Sequence, residues 1–299
     1  MILSEEHLSL LCQRAIIAAR EAGDLISQYS GKTIKVQAKR AGDSKASQIV
    51  TEVDLLSQEI ILKTLLPTCK EYNLALLTEE SPDDLRRFKK DYFWSIDPLD
   101  GTLPFTEGTS GYGVSIALVS KEGIPFIGVV HDPLENNVYH AINGKGAFKN
   151  NFPLKVPIPI NKRRETFTLI TDRSFSNNSF YSKIIAAFNE NMINLTGDKI
   201  EIINHGGAVM NACWVMENSP SCYLKLPKPE NGGGSLWDYS ATACIFSEAG
   251  CHVSDIYGNP LELNRRKSTF MNQSGILFAS DNDIFQLVIR IIDDTIKIL

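Results

Sequence analysis

The most constraining stretch of this chain is Trp94-Ser95-Ile96-Asp97-Pro98-Leu99-Asp100-Gly101-Thr102, where apolar, strand-forming residues run without a break into two aspartates punctuated by Pro and Gly. Such a run predicts a buried strand that ends in a tight turn. Two carboxylates then share one short loop at a strand end, the place where layered α/β sheets bind ligands. If that loop curls around a cation, Asp97 and Asp100 both reach it. The Leu99 carbonyl adds a third hard oxygen of the kind magnesium prefers. Gly101 permits close backbone approach, its N–H and that of Thr102 can face a phosphate, and the Thr102 hydroxyl can orient an attacking water. An isolated Asp-Pro or Asp-Gly dipeptide reads as a surface turn; the full combination behind a buried strand points to a site.

Other acids stand where they could join this pair. Thr78-Glu79-Glu80 follows the apolar run Leu74 to Leu77, so Glu79 also falls at a strand end, with Glu80 in support. Taken alone, the same Glu pair reads as a solvated edge. Asp238 follows Trp237 at the start of a helix expected from Tyr239, which makes it either a metal ligand or an N-terminal cap. Thr51-x-x-Asp54 has the form of a capping box, so Asp54 is open between capping and a catalytic or third-metal role. The five histidines lack metal-ligand spacing, and neither a P-loop nor a G-x-S-x-G elbow is present.

Periodicity predicts helices at His7 to Ser30, capped by Ser4 and ended by Gly31, and at Asp54 to Leu66, stopping before Pro67. Strands follow at Leu74–Thr78, Phe93–Ile96, Gly113–Val119 and Ile127–His131. Past the Pro-rich stretch from Pro153 to Pro159 the pattern restarts as strand (Phe167–Thr171), helix (Ser179–Phe188), strand (Ile200–Ile203) and helix (Ala208–Met216). Two domains are therefore expected: 1–155, carrying most of the metal ligands, and 156–299, with Asp238 and the substrate pocket. Leu226 to Ser235, with its prolines and Gly232-Gly233-Gly234, reads as a loop, and Tyr239 to Ala249 as a helix ended by Gly250.

Composition excludes several classes. With 299 residues, 43% hydrophobic and 22% charged, the chain is ordinary globular material able to bury a large core. A net charge of −5 argues against binding a nucleic-acid polymer, which needs clustered cations. Six scattered cysteines resemble neither a zinc site nor a disulfide framework and read as reduced, mostly buried thiols. No signal-peptide pattern or membrane-length apolar run is present, so the cytoplasm is the expected location and no membrane partner is expected.

In order and spacing, Val50-Thr51-Glu52-Val53-Asp54, Thr78-Glu79-Glu80, Asp97 to Thr102, Gly207-Ala208, Trp237-Asp238 and Glu248-Ala249-Gly250 together resemble the inositol monophosphatase superfamily, which includes 3'(2'),5'-bisphosphate nucleotidases. The resemblance implies an α+β layered αβαβα sandwich, two or three Mg2+ ions, frequent homodimers and common inhibition by lithium. It assigns Glu79, Asp97, the Leu99 carbonyl, Asp100 and Asp238 to metal, and Thr102 with Glu79 or Asp54 to activation of the water. Gly101 and Thr102 would hold phosphate, and Gly207 and Ala208 would line the pocket for the rest of a small phosphorylated metabolite. Lys225 stands about where inositol monophosphatases usually carry an acid, which suits a second anionic group on the substrate. Asn211 points the other way, toward the inositol enzymes. The expected activity is thus a Mg2+-dependent phosphomonoesterase acting on a bisphosphate nucleotide such as adenosine 3',5'-bisphosphate. The alternatives are an inositol or sugar phosphatase, or a noncatalytic metal- or phosphate-binding protein.

Overall fold

Side chains along a strand alternate between faces, and here the alternation sorts the apolar residues into three separate cores. A computed structural model describes residues 2–29, 36–38, 49–156, 166–196 and 200–296. Its elements begin with α1 (Glu5–Tyr29), a short β1–β2 ribbon (Val36–Ala38, Ile49–Thr51) and α2 (Glu52–Glu71). Then come β3 (Ala75–Thr78), β4 (Tyr92–Asp100), α3 (Thr102–Glu107), β5 (Gly113–Ser120), β6 (Pro125–Asp132), β7 (Asn137–Ile142), β8 (Ala147–Lys149) and β9 (Phe152–Leu154). The rest is β10 (Thr168–Thr171), α4 (Tyr181–Thr196), β11 (Glu201–Ile203), α5 (Ala208–Glu217), β12 (Ser221–Lys225), α6 (Leu236–Ala249), β13 (His252–Ser254), β14 (Ile276–Ala279) and α7 (Asn282–Ile296).

Strands β3 to β9 form one sheet in sequence order, antiparallel except for the parallel β3–β4 pair. A second sheet runs β11-β10-β12-β14-β13, with β10 parallel to both of its neighbours. Trp94, Ile96, Val114, Ile116 and Leu118 enter a core shared with α1 and α2, whereas Phe93, Ala117 and Val119 enter a core shared with α5 and α6. In the second sheet Ile170, Tyr223 and Phe278 face that same α5–α6 core, and Leu169, Leu224 and Leu277 face α4 and α7. The layers are therefore α, β, α, β, α, as expected. A helix held between two sheets must be apolar all round, and α6 buries every residue from Leu236 to Phe246 except Trp237. It presses on β6 so closely that a Cβ at Gly128 would strike the Ala241 carbonyl.

Several expectations need adjustment. Ser4 does cap α1, its hydroxyl accepting the His7 N–H at 3.2 Å, while Gly31 lies outside the described residues. The second helix does not stop before Pro67 but runs through it to Glu71. Proline removes only its own helical donor, and the next residue is held in place: Thr68 Oγ1 donates to the Leu65 carbonyl at 2.6 Å and accepts from Trp94 Nε1 at 2.9 Å. The strand carrying the aspartates extends to Asp100, and α6 starts three residues earlier than expected, at Leu236. Gly250 ends α6 in the left-handed conformation, φ 82°. The strands change sheets between Leu154 and Thr168, the stretch that contains the expected 155/156 boundary. All six cysteines are free thiols, five of them buried.

Candidate metal centre

Asp97 and Asp100 are three residues apart, so in a regular strand they would point to opposite faces. The ladder between β4 and β5 pairs Asp97 with Ser115 and Asp100 with Gly113, three steps on one strand against two on the other. That extra residue is a β-bulge, and it turns both carboxylates to one face. The tight turn expected from the sequence is thus a bulge at the end of a strand. Ile96 and Leu99 enter the α1–α2 core on the opposite side, so the Leu99 side chain anchors the bulge while its carbonyl accepts the Thr102 hydroxyl at 3.4 Å. Asp97 Oδ1 accepts the Leu99 N–H at 3.0 Å, which stiffens the bulge from within.

Asp238 arrives from 141 residues further on, and the tie is visible. Ser115, the ladder partner of Asp97, donates from its hydroxyl to the Trp237 carbonyl at 3.0 Å. Asp238 is the third residue of α6 and completes a capping box with Ser235, accepting the Ser235 N–H. Asp238 is therefore not the N-cap, a place taken by Ser235, but sits three residues in, where its carboxylate holds the Ser235 N–H and faces Asp97 and Asp100. Asp100 behaves similarly toward α5. Its Oδ2 accepts the Val209 N–H at 2.7 Å, with the Ala208 N–H also bonded to it.

Ligand oxygens of Asp97, Asp100 and Asp238 all lie within 4.8 Å of one another, and all three residues are buried. Burial, then the charges of Glu79, Asp238 and Asp100, push the Asp97 carboxyl well above the usual carboxylate range. Burial and Asp238 do the same to Asp100, although the Val209 and Ala208 N–H groups oppose the shift. Glu79 is half-buried just past β3, its N–H donating to the Ile96 carbonyl at 3.1 Å. It stands outside the tight trio yet close enough to act on both aspartates. Asp54 is buried in the first turn of α2, and Ser57, one turn on, donates to the Pro98 carbonyl at 2.7 Å, which seats that turn against the bulge.

Gly101 has φ 81° and precedes α3, whose first residue is the buried Thr102. Gly207 precedes α5, its N–H donating to the Gly111 carbonyl at 2.7 Å. A Cβ at Gly207 would collide with Asp100 Oδ2, so residue 207 is glycine because the carboxylate needs the room. A cavity of about 280 Å3, lined by residues including Ile2, Tyr92, Ser120 and Phe126, lies at the opposite end of β4 and contains none of these acids.

The model of the inositol monophosphatase family matches residues 8–296, nearly the whole chain. This chain belongs to that family. It is 31% identical over 245 residues to the Nus factor SuhB of Pasteurella multocida, covering 82% of this chain and 84% of that protein. It is 30% identical over 271 residues to the 3'(2'),5'-bisphosphate nucleotidase CysQ of Salmonella typhimurium, covering 89% and 96%. An IMPase of Thermotoga maritima shares the fold with a TM-score of 0.70 at 24% identity, covering 95% of this chain and 98% of that one. Among the described residues no helix is long and apolar enough to cross a membrane.

Beside the acidic cluster lies a network that the sequence reading missed. Parallel pairing of Thr171 with Leu224 sets Asp172 next to Lys225, and the two form an ion pair of 2.6 Å. The other Asp172 oxygen accepts the Tyr223 hydroxyl at 2.7 Å. Burial pulls Lys225 toward the neutral amine, but Asp172 more than offsets this and keeps the ammonium charged. The cation read from the sequence as a substrate contact thus already has a carboxylate partner. Arg173 pairs with Glu107 at 2.7 Å, joining the end of α3 to the end of β10, and His205 packs on Trp214 with ring centroids 4.9 Å apart. Asn211 is buried and donates to the Thr171 and Gly206 carbonyls, positions that hold the pocket wall together. Gly144 and Gly146 donate to the Glu248 carboxylate at 2.8 and 2.7 Å, which makes that Gly-Lys-Gly turn and Glu248 a structural lock.

Proposed function

We propose that this chain is a magnesium-dependent phosphomonoesterase of small phosphorylated metabolites. The carrying observation is the trio Asp97, Asp100 and Asp238, three buried carboxylates within 4.8 Å. Like charges that close are costly in a dry site unless a cation or protons neutralise them. The donor set is all oxygen, with the Leu99 carbonyl and Glu79 adjoining, and hard oxygen ligands of this kind suit Mg2+ rather than a thiophilic metal. Bound there, such ions neutralise a phosphate ester dianion, activate a water and steady the leaving oxygen.

The chain's own groups take the remaining work. Thr102 orients the attacking water, and Glu79 or Asp54 receives its proton. The Gly101 and Thr102 N–H groups hold phosphate oxygens, and Gly207 with Ala208 forms the wall against the rest of the substrate. A bisphosphorylated nucleotide is the first substrate to try, because the CysQ relative named for that activity matches over 96% of its length. Inositol monophosphate is the second, on the family's name and on Asn211. The test is an initial-rate panel of adenosine 3',5'-bisphosphate, inositol monophosphates and fructose 1,6-bisphosphate, with and without Mg2+ and lithium. Magnesium-dependent phosphate release from at least one is expected; no release from any leaves a binding-only protein.

A further inference from the structure

The loop between Lys225 and Asp238 is a built wall rather than a free surface excursion. Asn272, itself buried, donates from Nδ2 to the carbonyls of Lys228 and Glu230 at 2.9 and 2.8 Å, and its backbone carbonyl accepts the Lys228 N–H at 2.9 Å. The Met271 N–H reaches the Gly234 carbonyl at 3.0 Å, and the Leu236 N–H reaches that of Thr269 at 2.9 Å. Gly232, Gly233 and Gly234 have φ of 116°, 74° and 117°, a positive-φ run that only glycine adopts without strain. A Cβ at Gly234 would strike the Tyr239 hydroxyl, and one at Gly233 would lie 3.1 Å from Lys228 Cε and 3.5 Å from Lys225 Cε. The bare glycine backbone therefore runs beside two lysine side chains and leads directly into the Ser235–Asp238 capping box.

The two lysines differ in what neutralises them. Lys225 is held by Asp172, whose second oxygen is taken by Tyr223. Among the described residues no ion pair engages Lys228, which is half-buried on the same wall. We propose that Lys228 is the specificity-determining cation of this site, receiving a second anionic group of the substrate while its scissile phosphate lies at the aspartates. This rests on the phosphatase reading and deepens it to substrates carrying two separated phosphates. Lys225 and Asp172 then serve as the neutral, rigid floor on which the Lys228 loop is mounted.

The experiment compares kcat/KM for adenosine 3',5'-bisphosphate with that for adenosine 3'-monophosphate, which keeps the scissile ester and lacks the second phosphate. In Lys228→Gln the bisphosphate-to-monophosphate ratio should fall about tenfold or more, the worth of one charge-assisted contact, and Lys228→Arg should restore most of it. An unchanged ratio in Lys228→Gln overturns the proposal, as does a preference lost in Lys225→Gln while Lys228→Gln keeps it. Wild-type protein that releases phosphate from neither compound in Mg2+ overturns this inference; the phosphatase reading falls with it only if inositol monophosphates and fructose 1,6-bisphosphate also release none in the same assay.

Discussion

Replacing Asp97 by Asn removes one charge from the trio and little else, because the amide oxygen of the new side chain can still accept the Leu99 N–H that Asp97 accepts at 3.0 Å. Two unit charges 4.8 Å apart repel by about 3.5 kcal/mol at an effective dielectric near 20. The metal-free wild type escapes part of that cost by taking up protons, so relief of about 1–3 kcal/mol is the reasonable share for the variant. In EDTA, Asp97→Asn should therefore melt several degrees higher than wild type, at about 2–4 °C per kcal/mol for a chain approaching this size. The pH dependence has a definite sign. A carboxyl raised in the fold binds its proton more tightly folded than unfolded, so its contribution is favourable in acid and is lost as pH climbs above the unfolded value near 4. The stability gap between variant and wild type should accordingly widen from about pH 4 upward. With Mg2+ the order reverses: wild type gains about 2.7 kcal/mol at a hundredfold excess over Kd, and the variant gains much less. Turnover should fall by about a thousandfold or more, since an ion's charge stabilisation in the transition state is worth several kcal/mol. Thermal melts in EDTA and in Mg2+, with a phosphate-release assay, check all of this. A variant that melts lower than wild type in EDTA, yet keeps its Mg2+ shift and its rate, would refute the assignment of the trio.

Gly207→Ala should leave the protein folded by circular dichroism but cut kcat by about a hundredfold, the cost of displacing a site carboxylate by an ångström, because the new methyl meets Asp100 Oδ2. Ser235→Ala removes the hydroxyl half of the α6 capping box and should cost about 1 kcal/mol in a denaturant melt. Its Mg2+ affinity should change less than in Asp97→Asn, because the backbone N–H that holds Asp238 remains. Gly23→Ala should destabilise by about 1–3 kcal/mol, since its Cβ would strike Nδ1 of the buried His131 that bonds the Ala19 carbonyl at 3.0 Å; an unchanged midpoint would contradict the tight packing of α1 on β6.

What could be read from the sequence was what a single stretch determines by itself. Trp94 to Thr102 announces a buried strand and paired acids through residue type alone, and α1 and α5 declare themselves by period. The bulge was hidden because it exists only relative to β5: nothing within Asp97-Pro98-Leu99-Asp100 says that Ser115 and Gly113 will be the partners. The helix through Pro67 was missed because the turn beyond the proline is held from outside the helix, by Trp94, 26 residues from Thr68. The strands β7 to β9, β13 and β14 are short, and α7 depends on packing against the outer face of the second sheet. The pairing of Asp172 with Lys225 follows from a parallel register between strands 53 residues apart, so a lysine that looked available in the sequence is neutralised in the fold.

The trio explains why this fold can carry such a concentration of buried charge at all. Asp100 takes the first N–H groups of α5, and Asp238 closes the box that starts α6, so two of the three acids stand at the positive ends of helices in the central layer. Those N–H groups offset part of the repulsion that the 4.8 Å spacing creates, and they do so whether or not a cation is bound. Asp97 has no helix of its own; its partner is the Leu99 N–H inside the bulge. Its carboxyl feels the neighbouring acids Glu79, Asp238 and Asp100. The acids therefore differ in what else they do: Asp100 ties α5 to the first sheet and Asp238 holds the start of α6, whereas Asp97 bonds within its own bulge and to Asp238. In the proposed metal site, Mg2+ affinity should therefore fall more in Asp97→Asn than in Asp100→Asn when each is measured by the Mg2+-induced melting shift.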